Sequence, residues 1–358
     1  MVTTSLMQRL GIDAPVIQAP MGGGPTTPEL VAAVTNAGGI GSVAGGYLDP
    51  DTLRREIAAV RQLTDGPFAV NVFAPLDPDV TPDAIEVAIE VLAPYRRELG
   101  LEPRPALGEP GPAFSDHLDV LVETAPPVVS FTFGLLPPDA VRALHDVGCL
   151  LVGTATSVEE AVALVHADVD VVCAQGSEAG AHRGTFLTDP VLATVGLVVL
   201  VPAVTDAVDV PVVAAGGIMD GRGVASVLAL GAQAAQLGTA FLRCPQAGTN
   251  ATHRAALAAA GHESTVVTSA LTGRAARTIA NRLTRELADR AVPAYPVMNA
   301  LTAELRRVAA ARGREDLMSL WAGQGVARGT ELDAGELVRR LAEETERAIA
   351  GLGVPGRP

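Results

Sequence analysis

Along this 358-residue chain, short apolar runs alternate with longer amphipathic stretches. Eight runs have strand length and carry aliphatic side chains on both alternating faces, which is typical of parallel strands covered on both sides. The predicted strands cover residues 15–19, 40–44, 68–73, 128–133, 150–155, 169–174, 212–215 and 234–237. Helices that suit right-handed crossovers are predicted at 28–36, 50–63, 137–147, 158–167, 197–208 and 221–230. The pattern therefore predicts the α/β class, as a (β/α)8 TIM barrel.

Two stretches depart from this rhythm. Residues 76–125 carry a helix-like segment at 83–99, and residues 245–320 are rich in Ala and Arg. We expect these two stretches to form a helical lid or substrate-binding lobe over the strand ends. Residues 1–75, 126–244 and 321–358, with a final helix at 331–349, are expected to form the barrel.

The centre of the second stretch, TSALTGRAARTIANRL, has a helical pattern. In a helix, Arg274, Arg277 and Asn281 share one face because they are spaced i, i+3 and i+7. This face either ties the lid to the barrel or is an ordinary charged surface. Tyr295, near the end of the stretch, either closes a pocket or is a core aromatic.

Composition narrows the class of partner. The net charge of −14 would repel nucleic acids and anionic membranes. Every basic residue is Arg, which excludes lysine Schiff-base chemistry. The three cysteines lack metal-ligand spacing, so we expect no metal and a reducing, cytoplasmic compartment. The sequence contains neither a signal-peptide pattern nor a membrane-span pattern.

The most informative segment is VVCAQGSEAGAHRGTF, residues 171–186. A buried strand ends near Gln175, and a loop of small residues then presents His182. Because functional groups of such barrels lie at the carboxyl ends of the strands, His182 is a candidate catalytic base. The alternative is a loop histidine that makes a single backbone hydrogen bond. Glu178 is a competing base, although its position favours a structural carboxylate held by backbone donors.

Glycines follow the last two predicted strands, in VVAAGGIMDGRG and AAQLGTAFL. In barrels of this type, backbone N–H groups after the seventh and eighth strands commonly bind a phosphate. Gly216, Gly217, Gly238 and Thr239 are therefore predicted phosphate ligands. The alternative for the first two is a tight turn.

The first strand ends in QAPMGGGPTTPEL, where Pro20, Met21 and three glycines bring main chain to the pocket mouth, and a flat ring fits against such a turn. Asn71 is a polar side chain inside the apolar strand FAVNVF, and a buried amide needs partners. Those partners are either the edge of a cofactor or neighbouring backbone groups.

Taken together, the motifs resemble the nitronate monooxygenase family, formerly called 2-nitropropane dioxygenases. The resemblance covers nearly the whole chain and is carried by PVIQAPMGG, NVF, AQGSEAGAHRG, AAGGIMDGRG, QLGTAFL, TGRAARTIAN and SLWAGQG. It implies FMN as the cofactor. The phosphate would lie at Gly216, Gly217, Gly238 and Thr239, and the ring would lie near Met21, Asn71 and Gln175. It also implies that His182 is the catalytic base. The full set of expected cofactor contacts is Ala19, Pro20, Met21, Gly22, Asn71, Gln175, Gly180, Ala181, Gly216, Gly217, Gly238 and Thr239.

The reaction that the resemblance implies is the oxidation of alkyl nitronates or nitroalkanes by O2, giving a carbonyl compound and nitrite. His182, expected near its ordinary pKa of about 6.5, would remove the proton alpha to the nitro group. One alternative is an NAD(P)H-dependent FMN enoyl-thioester reductase, and another is a flavin-binding module without turnover. A homodimer is expected as one assembly, and the physiological substrate stays open.

The chain departs from the family pattern at two places. Ala181 stands where the family usually has Gly before the histidine. Some relatives place a Lys beside the flavin, where this chain has Thr154 or Ala155. Helix dipoles, backbone donors or the His182 imidazolium would then have to stabilise the reduced flavin. Of the three histidines in the suspected lid, His117, His253 and His262, one is a candidate for substrate contact.

Overall fold

The computed structural model describes residues 2–76, 80–106 and 111–352. Its strands, numbered along the chain, are β1 (Val16–Gln18), β2 (Ser42–Ala44), β3 (Ala69–Phe73), β4 (Val128–Thr132), β5 (Leu150–Ala155), β6 (Val171–Gln175), β7 (Ala181–His182), β8 (Val212–Ala215), β9 (Ala234–Leu237), β10 (Thr265–Thr268) and β11 (Ala276–Ile279). Each of the eight strands predicted from the apolar runs is present, within two residues of its predicted start and end.

Eight parallel strands form the main sheet, in the order β1-β9-β8-β6-β5-β4-β3-β2. The two ends of this order meet at a parallel bridge between Ile17 and Ile40. There the Gln18 N–H donates to the Ile40 carbonyl at 2.8 Å, and the Ile40 N–H donates to the Val16 carbonyl at 3.0 Å. The sheet therefore closes on itself, and the (β/α)8 barrel is confirmed.

The α-helices are α1 (Ser5–Leu10), α2 (Pro28–Asn36), α3 (Pro50–Leu63), α4 (Pro82–Glu98), α5 (Phe114–Thr124), α6 (Pro138–Asp146), α7 (Val158–His166), α8 (Leu197–Thr205), α9 (Gly221–Ala229), α10 (Ala251–Ala259), α11 (Arg282–Glu286), α12 (Val297–Ala311) and α13 (Ala334–Leu352). Short 3₁₀ turns cover Gly45–Tyr47, Thr239–Phe241, Glu315–Leu317 and Val326–Arg328. Polar side chains cap several starts: Thr27 accepts from the Leu30 N–H ahead of Pro28, as its position before a proline predicts.

Two large hydrophobic clusters divide the interior. One joins the barrel strands to the helices around them, including α5, which packs on α3 and β3. The other joins α4 and α10 to α12 with the segment around residues 317–326. A smaller cluster lies where α1 packs Leu6 and Met7 against barrel residues such as Ile17 and Ile40. The expected lid stretch 76–125 thus contributes α4 to the second cluster and α5 to the barrel layer, and the domain division itself stays a prediction.

The helical prediction for the segment around residue 276 is wrong. Residues Ala276–Ile279 form β11, which pairs in antiparallel fashion with β10 on one side and with β7 on the other. All four side chains of β11 are buried. An Ala- and Arg-rich segment has good helix propensity, but pairing on both edges overrides that propensity.

Candidate active site

A cavity of about 620 Å³ lies at the carboxyl ends of the barrel strands. That volume is within the range of about 300–1,000 Å³ typical of ligand pockets. Every barrel strand or the residue directly after it contributes to the lining, and α12 and the segment around residue 250 form the outer wall. All thirteen residues predicted for catalysis or cofactor binding line this one cavity. The fold therefore brings the predicted site residues together, while their chemical roles stay proposals.

The wall after β8 and β9 is made of main chain. Gly216 and Gly217 have φ values of +136° and +66°, which L side chains rarely adopt. A Cβ on Gly216 would lie 3.1 Å from the Ala179 nitrogen, and one on Gly217 would lie 2.8 Å from the Glu178 Cβ. Gly238 precedes a 3₁₀ turn, and Thr239 Oγ1 accepts from the Gly323 N–H at 2.9 Å. Glycine is required at positions 216 and 217 by close approach and backbone conformation, so the turn and the ligand-binding explanations are compatible there.

The cavity fits a flavin mononucleotide. Thr249 lines it, and its hydroxyl oxygen is buried without a hydrogen-bond partner in the structure. A buried polar atom of this kind points to a ligand group that is absent from the protein alone. Gly22 lies under the ring of Tyr47, so that a Cβ there would be 2.9 Å from Tyr47 Cδ2. The main chain at Pro20 to Gly22 and the glycines after β8 and β9 line the same cavity, whose volume of about 620 Å³ can hold a ring and a phosphate.

Two amide side chains line the floor of the cavity. Asn71 Nδ2 donates to Ser130 Oγ at 3.0 Å, and the Asn71 side chain is 8% exposed. Gln175 Nε2 donates to the His182 carbonyl at 3.1 Å, and Gln175 Oε1 accepts from the Gly184 N–H at 2.8 Å. Gln175 thus fixes the loop that carries His182, a role that the sequence did not predict.

His182 is held by a distant segment of the chain. Its strand β7 pairs with β11, and its Nε2 lies 2.9 Å from Thr272 Oγ1. The rings of Phe133, Tyr295 and Trp321 surround the imidazole, with centroids 5.9, 5.3 and 5.4 Å away respectively. Tyr295 is therefore a buried aromatic that packs on the base. The imidazole is therefore fixed by a hydrogen bond to a side chain and by ring packing, rather than by a backbone hydrogen bond.

The surroundings of His182 lower its pKa to about 3, first because the ring is desolvated and then because Arg274 and Arg306 add positive charge. The expected value of about 6.5 is wrong, since the sequence did not show that three aromatic and two guanidinium side chains surround this imidazole. At neutral pH the imidazole is therefore uncharged, and one of its two ring nitrogens carries a free lone pair. The imidazolium is consequently not the resident cation that would replace the missing lysine.

Three arginines, of which Arg183 and Arg277 are buried, fasten the loop that carries His182 to the rest of the site. Arg183, which is 1% exposed, donates to the carbonyls of Gln175, Gly176 and Ala193. Arg274 donates to the carbonyls of Arg183 and Thr185, and its guanidinium lies 4.3 Å from the centroid of the Phe133 ring. Arg277 donates to the Ser177 carbonyl at 2.8 and 3.1 Å. These contacts do tie the outer layer to the barrel, but from a strand and its approach rather than from a helical face.

The carboxylates near the loop are structural. Glu178 Oε1 accepts from the Leu197 N–H at 2.9 Å, at the first residue of α8, which confirms the structural interpretation over that of a competing base. Glu160 is fully buried and accepts from the backbone N–H groups of Thr156, Phe186 and Leu187. Bonding to several donors lowers the pKa of Glu160 against the opposing effect of burial, so it stays an ionised anchor.

The two departures from the family pattern have a clear place in the structure. Ala181 has φ +59°, a left-handed conformation that favours glycine. Thr154 lines the cavity, whereas Ala155 is fully buried in the core. Arg306, on α12, also lines the cavity, and its guanidinium is held by Asn299, Thr302 and Ser319. Arg306 lies outside the sequence motifs. Thr272 and Trp321 lie within TGRAARTIAN and SLWAGQG, but their contacts with His182, like that of Phe133, were not predicted because they depend on tertiary packing.

The three histidines of the suspected lid stretches have different surroundings. His253 lines the cavity, and its Nε2 contacts the Trp321 carbonyl at 3.1 Å. Burial lowers the pKa of His253 to about 4. His117 is buried in α5, where Nε2 contacts the Leu48 carbonyl at 2.8 Å, and His262 is exposed. His253 is thus the lid histidine that reaches the cavity.

Within residues 2–76, 80–106 and 111–352, no group of three or more His, Cys, Asp or Glu is arranged to hold a metal ion. No helix there has both the length and the apolar character needed to cross a membrane.

Comparison with known proteins gives matches over nearly the whole chain. The model of a family described as nitronate monooxygenase matches residues 3–344. A Staphylococcus saprophyticus protein named "Probable nitronate monooxygenase" is 40% identical over 352 residues, which cover 97% of this chain and 99% of that protein. The structure of nitroalkane oxidase from Streptomyces ansochromogenes has a TM-score of 0.92 at 43% identity and covers 98% of this chain and 100% of its own. FabK from Thermotoga maritima has a TM-score of 0.77 at 29% identity and covers 98% of this chain and 99% of its own.

Proposed function

The chain belongs to the nitronate monooxygenase family, and from this premise we propose that it is an FMN-dependent enzyme that oxidises alkyl nitronates and nitroalkanes with O2, giving a carbonyl compound and nitrite. The observation that carries the proposal is the placement of His182. Its uncharged imidazole lines the same cavity as the glycine wall after β8 and β9. A base and a cofactor cradle thus face one space.

The cofactor would be held mainly by main chain. Gly216, Gly217, Gly238 and Thr239 would hold the phosphate, and Met21, Asn71 and Gln175, with the neighbouring Ala19, Pro20, Gly22, Gly180 and Ala181, would contact the ring system. When bound, FMN supplies the capacity to accept electrons from the substrate carbanion. Arg306 lines the cavity as a cation and would favour negative charge in the site.

The protein's own chemical step is proton abstraction. A neutral nitroalkane carries a proton on the carbon next to the nitro group, and the His182 imidazole accepts this proton while the electron pair moves onto the nitro group. The surrounding rings of Phe133, Tyr295 and Trp321 exclude water and hold the imidazole in place. A preformed nitronate has already lost this proton and does not need the base.

The decisive experiment is an absorption spectrum of the purified protein before and after anaerobic addition of ethyl nitronate. We expect a flavin spectrum that bleaches, with nitrite released once air is admitted. A flavin that stays oxidised would refute the oxidative reaction. Rapid bleaching by NADH or NADPH, with reoxidation by an unsaturated acyl thioester, would support the enoyl reductase instead. A tightly bound flavin that no such reagent reduces would indicate a module without turnover.

We also propose that two copies of the chain associate through residues 187–199, which follow the base loop. Six large apolar side chains in this segment are 39–72% exposed, namely Leu187, Val191, Leu192, Val195, Val198 and Val199. An exposed apolar patch of this kind commonly marks a protein interface. The segment carries a single charge, on Asp189, so two copies of this acidic chain can approach there with little repulsion. Sedimentation of wild type and of a Leu192→Ser, Val198→Ser variant tests this: we expect a dimer and a monomer respectively.

A further inference from the structure

Thr272 is a buried hydroxyl in direct contact with the candidate base. It is 1% exposed and lies in the turn before β11, ninety residues from His182 in the chain. Its oxygen lies 2.9 Å from His182 Nε2 and 3.3 Å from the Arg274 carbonyl oxygen. Nothing in the proposed reaction so far uses this residue.

The hydrogen-bond count decides which way the contact runs. A threonine hydroxyl has one proton to donate, and a carbonyl oxygen can only accept. Within the described ranges, no other donor reaches the Arg274 carbonyl. If the hydroxyl proton goes to that carbonyl, Thr272 Oγ1 must accept from His182, and both contacts are satisfied. The reverse assignment leaves the carbonyl without a partner.

The other imidazole nitrogen has a different environment. His182 Nδ1 has no protein partner in the described ranges, where the only buried unpartnered side-chain nitrogen or oxygen atoms are Arg96 Nη1 and Thr249 Oγ1. Nδ1 is therefore accessible, and His182 lines the cavity. The accessible nitrogen, Nδ1, and the nitrogen that contacts Thr272, Nε2, are thus the two different nitrogens of one imidazole ring.

We infer that Thr272 is a positioning residue that fixes the neutral tautomer of His182 with the proton on Nε2, so that Nδ1 is the atom that abstracts the substrate proton. The inference rests on the proposed function for its chemical consequence. In that step the substrate C–H bond breaks, an Nδ1–H bond forms, and the electron pair stays on the nitronate product. The resulting imidazolium keeps its Nε2–H bond to Thr272. The Arg274 carbonyl contributes by accepting a hydrogen bond from the Thr272 hydroxyl, which leaves Thr272 Oγ1 to accept from His182.

The tautomer is directly measurable by NMR. In holoenzyme labelled with ¹⁵N-histidine, a protonated and a bare ring nitrogen have distinct shifts, and the His182 signals are assigned by their loss in His182→Asn. We expect wild-type His182 to carry its proton on Nε2 at pH 7.5. A proton on Nδ1 would overturn the inference without any variant of Thr272. This result is independent of turnover, so it stands even if no nitro compound is a substrate.

Two substitutions of Thr272 connect the tautomer to rate. Thr272→Val removes the hydroxyl at nearly constant shape, and we expect mixed tautomers. We also expect kcat/KM for nitroethane to fall about 10-fold, which is part of the ~10² to 10⁴ that a general base supplies. The value for ethyl nitronate should change less than about 2-fold, because that substrate has no proton to lose. Thr272→Ser keeps the hydroxyl and should restore both the tautomer and the rate.

Thr278→Val is the matched control, because this hydroxyl is also fully buried but contacts Leu320 N and the Ile279 carbonyl instead of His182. We expect a lower melting temperature with unchanged His182 shifts and an unchanged ratio of nitroethane to nitronate activity. Equal losses on both substrates in Thr272→Val, with the Nε2 tautomer retained, would make Thr272 a structural residue and refute the inference.

Discussion

The two functional walls of the cavity are built by different means. The wall after β8 and β9 consists of glycine main chain from two short segments that each follow a strand. The wall that carries His182 is held by side chains from about ninety residues away, namely Thr272, Arg274 and Arg277. A wall made by local backbone conformation can be predicted from its own short segments. The contacts of the second wall cannot, because they depend on where TGRAARTIAN lies relative to His182 in the folded chain.

Substitutions in the two walls should impair different properties of the protein. The largest expected effect is the loss of activity when His182 is replaced. His182→Asn should lower kcat/KM for nitroethane by about 10² to 10⁴, the usual worth of a general base. The loss on ethyl nitronate should be far smaller, and bound FMN should be retained. Initial rates of nitrite release with both substrates measure this. Equal losses on the two substrates would assign His182 to binding or folding.

Substitutions in the glycine wall should weaken the binding of FMN. Gly217→Ala places a Cβ at φ +66° and 2.8 Å from the Glu178 Cβ, so we expect the Kd for FMN to rise by at least about 30-fold, or about 2 kcal/mol. Fluorescence titration of the apoprotein measures the Kd. Gly11→Ala is the matched control, because Gly11 has φ +67° with nothing within 4 Å and caps α1 away from the cavity. The control should lower stability only. Unchanged FMN affinity in Gly217→Ala would contradict the phosphate assignment.

A buried histidine outside both walls tests how far burial alone sets protonation. The pKa of His253 is lowered to about 4, mainly by desolvation, whereas an unfolded histidine has about 6.5. Its contribution to stability is therefore complete above pH 6.5 and declines as the pH falls toward 4. When the pH is lowered from 7 to 5, the free energy of unfolding of the wild type should fall by about 2 kcal/mol more than that of His253→Gln. Urea unfolding at the two pH values measures this, and equal slopes for the two proteins would show that His253 already titrates normally.

The smallest expected effect concerns the backbone of the base wall. Ala181 has a left-handed conformation at φ +59°, which glycine adopts without strain. Glycine also gives the unfolded chain more freedom, so we expect Ala181→Gly to raise the free energy of unfolding by a net amount of about 0.5 kcal/mol. Ala125→Gly, at φ +42° beyond α5, should gain a similar amount far from the site. Thermal melting measures both. A lower melting temperature for Ala181→Gly alone would mean that the Ala181 side chain packs usefully in the cavity.

The barrel and the residues that line its cavity could be predicted from the amino-acid sequence. Eight apolar runs predicted the eight barrel strands, because strands buried on both faces need continuous apolar sequence. Glycines directly after β8 and β9 predicted the backbone wall, and the positive φ values of Gly216 and Gly217 disfavour other residues there. His182 was found because strand ends converge in this fold, which makes position along the chain sufficient to place a side chain in the cavity.

The surroundings of the His182 side chain could not be predicted in this way, because they depend on tertiary packing. β11 is a strand because β7 and β10 pair with it, although its Ala- and Arg-rich sequence favours a helix. The low pKa of His182 and its contact with Thr272 depend on groups far apart in the chain. Electrostatic and hydrogen-bond energies depend on distances between such groups, and those distances exist only once the barrel has closed and the outer layer has packed onto it.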